Sequence, residues 1–84
     1  MNYAVSILRR AQKELSQLSS PSFERVCDAI RSLAGNPRPP GCRKLDGREG
    51  WRIRVGDYRV IYQIDDPTRT VLVLHVGHRR DIYS

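Results

Sequence analysis

Apolar positions change period once along this chain, and the change separates a helical first half from a strand-rich second half. Tyr3, Val5 and Ile7 alternate with small or polar neighbours, as a short strand requires. From Leu8 the spacing turns helical. Leu8, Ala11, Leu15 and Leu18 fall on one stripe, with Arg9, Arg10, Lys13 and Glu14 off it. No good capping residue marks where this helix begins. The second helix is better punctuated: Ser20 offers an N-cap, and Pro21 the first helical position, where a missing N–H costs nothing. Phe23, Val26, Cys27, Ile30, Leu33 and Ala34 line its apolar face. Gly35 is expected to turn left-handed and end the helix, and Pro37 blocks its resumption. The short gap between the helices predicts an antiparallel pair.

Asn36-Pro37-Arg38-Pro39-Pro40-Gly41 then reads as a stiff crossover from helix to sheet. Strand signals follow at Arg43–Leu45, Trp51–Val55, Tyr58–Ile64 and Thr70–Val76, punctuated by Asp46-Gly47 and Asp65-Asp66-Pro67. The expected fold class is α+β: an N-terminal strand and a helical hairpin packed on a mostly antiparallel sheet of about four to five strands. All 84 residues are expected to form one domain. So short a chain builds a thin core, which favours an open groove over an enclosed site.

Composition narrows the function classes. No apolar run approaches a membrane span, and the first residues lack the pattern of a signal peptide, so the cytoplasm is the expected compartment. Two cysteines and two histidines without CxxC spacing make no zinc motif, and the cysteines are expected to be free thiols. Neither a metal nor another cofactor is expected. A formal net charge of +6 on so small a chain points to polyanionic partners.

The placement of that charge is more informative than its total. In Trp51-Arg52-Ile53-Arg54-Val55-Gly56-Asp57-Tyr58-Arg59-Val60-Ile61-Tyr62, Gly56-Asp57 reads as a two-residue turn with glycine first. That register sets Val55 opposite Tyr58, Arg54 opposite Arg59, Ile53 opposite Val60 and Trp51 opposite Tyr62. Trp51, Ile53, Val55, Tyr58, Val60 and Tyr62 then share the face that packs on the helices. Arg52, Arg54 and Arg59 project from the other, solvent-facing side. Like charges directly opposite one another destabilise a sheet, so this face calls for an anion, and the guanidinium fork suits phosphate. If Ile64 pairs with Thr70, His75 lies opposite Arg59 on that face. The last residues, Val76-Gly77-His78-Arg79-Arg80-Asp81-Ile82-Tyr83-Ser84, add a second basic and aromatic cluster.

Taken together, Asn36-Pro37-Arg38-Pro39-Pro40, Lys44-Leu45-Asp46-Gly47, the Trp51–Tyr62 hairpin and Val76–Tyr83 resemble the RelE/ParE toxin superfamily, over almost the whole chain. The resemblance implies a microbial-ribonuclease-like fold and the toxin role in a type II toxin–antitoxin system. It also implies a cognate antitoxin protein, and a higher-order complex of the two on operator DNA. RelE-type members cut mRNA in the ribosomal A site without a metal. The 2′-hydroxyl attacks the neighbouring phosphate and leaves a 2′,3′-cyclic phosphate. By position, Arg59 matches a phosphate-stabilising arginine, Arg79 the arginine that stabilises charge or protonates the leaving group, and Tyr83 the tyrosine that activates the 2′-hydroxyl. Lys44 matches a basic RNA contact. Arg52 and Arg54 stand where some relatives have lysines, and Arg80 neighbours Arg79 as a further RNA contact. His78 and His75 are candidates for proton transfer, the role to which an imidazole side chain is suited. Two other readings stay open: a ParE-like inhibitor of DNA gyrase without nuclease activity, and a noncatalytic RNA-binding module.

Overall fold

The structure, a computed structural model, describes residues 2–78. Its elements in chain order are β1 (Ala4–Ile7), α1 (Arg9–Ser16), α2 (Ser20–Ser32), β2 (Arg43–Lys44), β3 (Trp51–Val55), β4 (Tyr58–Asp65) and β5 (Thr70–His78). The strands form one sheet in the order β1-β5-β4-β3-β2. β1 runs parallel to β5, and the other three pairings are antiparallel. This is the expected α+β class with two helices on a five-stranded sheet. Among the described residues, no helix is long and apolar enough to cross a membrane.

The alternation read from the sequence selects the buried face. Ala11 and Leu15 of α1 and Val26, Ile30 and Leu33 around α2 pack against Ile53, Val60, Tyr62, Val71, Val73 and Val76 of the sheet. Tyr62 is completely buried, and its hydroxyl donates a 2.7 Å hydrogen bond to the Pro37 carbonyl oxygen. That bond satisfies a buried polar pair and pins the proline crossover to the sheet. Burial also pushes the Tyr62 phenol well above its ordinary pKa, with the neighbouring Cys42 thiol adding to the effect. Both cysteines are free.

A second pin lies at the surface. Asp66 receives both terminal nitrogens of Arg38, at 3.2 and 2.9 Å, and the Tyr3 hydroxyl at 2.5 Å. The Arg38 guanidinium also lies 4.9 Å from the centre of the Trp51 ring, close enough for a cation–π contact. These contacts join β1, the crossover and the β4–β5 turn. The hydrogen bonds from Arg38 and Tyr3 hold the Asp66 carboxyl below its ordinary pKa, and the bond to Asp66 raises the Tyr3 phenol.

Several local expectations change. The cap of α2 is Ser19, with Ser20 the first helical residue. Gly35 does not take a left-handed conformation. The helix instead ends by tightening: the amides of Leu33, Ala34 and Gly35 bond to carbonyls three residues back. Phe23 does not join the core. It is 41% exposed, because the sheet lies under the later turns of α2.

The largest departure concerns β4 and β5. Asp65, not Ile64, pairs with Thr70, and the register shifts between Ile61 and Tyr62. Tyr62 faces Val73 and Ile61 faces His75, so Leu74 is an extra residue on β5. The bulge lets Val73 and Val76 both enter the core, which strict alternation forbids. It also places Gly77, and not His75, across from Arg59.

Beyond β1, helix α1 covers the outer edge of β5. The Leu8 amide donates to the Val73 carbonyl at 3.0 Å, and the Val76 amide donates to Glu14 Oε1 at 2.9 Å. A carboxylate thus closes an edge amide that would otherwise offer itself to another strand.

Candidate nucleic-acid interface

Gly56 starts the β3–β4 turn with a φ of 60°, a conformation open to glycine because it lacks a Cβ. The turn sets the register read from the sequence: Val55 faces Tyr58, Arg54 faces Arg59, Ile53 faces Val60 and Trp51 faces Tyr62. On the next pairing, Arg43 of β2 faces Arg52 of β3. Cross-strand partners share a face, so Arg43, Arg52, Arg54 and Arg59 all occupy the side of the sheet away from the helices. Two arginine pairs stand directly opposite one another, an arrangement that costs stability unless an anion neutralises it.

These arginines are not all solvated, contrary to the expectation for this face. Arg59 is 6% exposed and Arg52 is 9% exposed. Arg54 and Arg43 are exposed. The arginine stem accounts for much of this, because its methylenes cover apolar sheet surface while the head reaches outward. Arg59 Nη1 donates to the Tyr58 carbonyl oxygen at 3.1 Å, which orients its guanidinium along the hairpin. Across from it, Gly77 offers no side chain to compete for the same space.

Lys44 and His78 are placed apart from this cluster, and His75, across from Ile61, borders it. Lys44 faces Trp51, so its register position lies on the helix side of the sheet. His78 faces Tyr58, also on the helix side, and their rings meet edge-on with centroids 5.7 Å apart. His75 Nδ1 lies 2.6 Å from Glu14 Oε2, tied to α1. Arg79, Arg80 and Tyr83 lie outside the described residues. The structure therefore brings together Arg52, Arg54 and Arg59, carries His75 in the same face across from Ile61, and leaves Lys44 and His78 on the helix side.

Arg43 is the addition that sequence reading missed. Its place is set by the loop that follows, where the Leu45 amide bonds to the Gly50 carbonyl and closes a tight connection that periodicity does not encode. That closure sets Lys44 against Trp51 and therefore Arg43 against Arg52.

Comparison with known proteins identifies the family. A family model described as the ParE toxin of type II toxin–antitoxin system, parDE, matches residues 2–83. The chain is 36% identical to toxin RelG of Mycobacterium tuberculosis over 87 residues, covering 99% of this chain and 98% of that one. It is 28% identical to putative toxin RelE1 of Methanocaldococcus jannaschii, covering 100% and 98% respectively. Among solved structures, the RelE chain of the RelE–RelB complex from Pyrococcus horikoshii superposes with a TM-score of 0.85 at 29% identity, over 96% of this chain and 99% of that one. The RelBE2 toxin–antitoxin complex of M. tuberculosis gives 0.82 at 30% identity, over 94% and 100%. With a family match over nearly its whole length and this fold, the chain belongs to the RelE/ParE family of type II toxin–antitoxin toxins.

Proposed function

We propose that this toxin follows the RelE branch and is a ribosome-dependent mRNA endonuclease. One observation carries the reading most: two facing arginine pairs on one sheet face, with Arg59 almost buried among them. A surface built against its own charge repulsion is well suited to bind and polarise phosphate.

In this reading the RNA's own 2′-hydroxyl attacks the adjacent phosphorus, the bond to the 5′-oxygen breaks, and a 2′,3′-cyclic phosphate and a 5′-hydroxyl result. Arg59 stabilises the charge that develops on the phosphate oxygens. A single well-placed donor of this kind contributes roughly 2.7–4 kcal/mol to the transition state. Arg79 assists the leaving oxygen, and Tyr83 takes the 2′-hydroxyl proton. His78 and His75 remain candidates for proton exchange at the periphery, while Arg52, Arg54, Arg80 and Lys44 contact RNA. The toxin is held inactive by an antitoxin of the RelB kind in the cytoplasm.

The description of the matching family favours a second reading, a ParE-like block of DNA gyrase. One experiment separates the two. The toxin is incubated with mRNA, with and without ribosomes, and the ends are mapped. Ribosome-dependent cuts with cyclic phosphate termini are expected. Intact mRNA together with inhibited gyrase supercoiling would replace the RelE reading with the ParE one.

A further inference from the structure

β2 ends after two residues, so past Arg52 the edge of β3 has no strand beside it among the described residues. The proline crossover and the last turns of α2 stand there instead. Between them runs a groove of about 430 Å³, lined by Ala29, Pro39, Pro40 and Ile53 on its apolar walls and by Arg43, Arg52 and Arg54 on its charged side. None of these three arginine side chains makes a hydrogen bond or ion pair with another described residue. Arg52 is nine-tenths buried all the same. Its stem accounts for that burial, and its guanidinium, with a second cation directly across from it, has no counter-charge among the described residues.

We propose that this groove binds a second nucleotide of single-stranded RNA, its phosphate held between Arg43 and Arg52 and its base against Pro39, Pro40 and Ile53. The inference rests on the nuclease reading for the strand's direction of travel. Arg52 and Arg54 are two residues apart on one strand, a stride of about 6.6 Å. A chain with one phosphate at the Arg54–Arg59 pair thus meets the Arg43–Arg52 pair at the step of its next phosphate. Regular spacing along one line suits a polyanion of fixed repeat. The apolar floor is short and interrupted by charge, which suits one flat base better than the continuous stripe of an amphipathic protein helix.

The test uses a fluorescent six-nucleotide RNA whose 2′-hydroxyls are all methylated, so that it binds without being cut. Its affinity is measured for the full-length toxin across a series of salt concentrations. Arg43→Gln should weaken binding several-fold and reduce the slope of log affinity against log salt by about 0.7, the contribution of one phosphate contact on a single strand. Arg43→Lys should recover the slope, because it restores the charge. Ala29→Trp, which fills the floor, should weaken binding and leave the slope unchanged. Equal slopes for the parent and Arg43→Gln would overturn the proposal, as would undetectable binding of the oligonucleotide to the parent. So would an acidic amphipathic peptide whose binding depends on Arg43 while that of RNA does not. Cleavage of ribosome-bound mRNA is scored separately. Its failure beside a normal Arg43 slope would remove the nuclease reading and leave the groove assignment standing.

Discussion

Arg52 raises the question of what a charge is worth when the fold does not need it. Arg52 has no counter-ion among the described residues, and it faces Arg43 across the sheet. Replacing such a group with an apolar side chain of similar length should leave stability unchanged or improve it. Arg52→Met is therefore expected to melt at or above the parent temperature while losing RNA affinity. A lower melting temperature would mean that the guanidinium stabilises the sheet. Arg59→Ala should lower cleavage by roughly 10²–10³-fold, the scale for losing one transition-state donor, while its thermal melt stays cooperative. Cleavage at the parent rate by a folded Arg59→Ala protein would remove Arg59 from catalysis. Tyr62 behaves oppositely, since its hydroxyl serves the fold. Tyr62→Phe leaves the Pro37 carbonyl without its buried donor and should cost about 1–3 kcal/mol in urea unfolding.

At the scale of elements, the β3–β4 hairpin was readable because two signals agree in it. Gly56-Asp57 specifies the turn, and unbroken alternation on both sides carries the register outward as far as Trp51 and Tyr62. β5 was not readable to the same depth. Val71, Val73 and Val76 look like a broken pattern, and the bulge at Leu74 that reconciles them is a property of the pairing with β4. The end of α2 misled for a related reason: a glycine permits a left-handed turn without requiring one, and the tight turn into the crossover prevailed. Arg43 depended on how a loop closes, which no periodicity encodes. The tie at Asp66 makes a prediction with a definite sign. Folding holds this carboxyl below its ordinary pKa, so its contribution is fully present above the unfolded carboxyl range and is lost as pH falls through the folded value. Asp66→Asn should flatten the acid limb of the stability–pH curve below about pH 4, near the ordinary Asp value, and leave its neutral-to-alkaline shape unaltered. An acid limb identical to the parent's would show that Arg38 and Tyr3 gain nothing from the charge.

Across the whole molecule, four arginines face one another in pairs on β2, β3 and β4. Glu49, Asp65 and Asp66 border a separate depression, and there Asp66 is paired with Arg38. A net +6 distributed this way attracts a polyanion and also orients it, with the arginine face leading. The same field acts on the antitoxin that the proposed function requires. A segment able to neutralise this toxin by covering the arginine face must supply acidic groups to four arginines and apolar anchors to the groove beside them, and it then excludes RNA by occupying the same charges. Encounter driven by such a field slows steeply as salt rises, whereas the apolar anchors mainly set how long the complex lasts. The double change Arg52→Glu/Arg54→Glu should therefore slow association with the cognate antitoxin most strongly at low ionic strength, and weaken RNA binding in parallel. Stopped-flow association at two salt concentrations measures the first effect, and the methylated oligonucleotide measures the second. Unaltered antitoxin kinetics beside lost RNA binding would separate the two surfaces, placing neutralisation away from the arginine face and making it indirect.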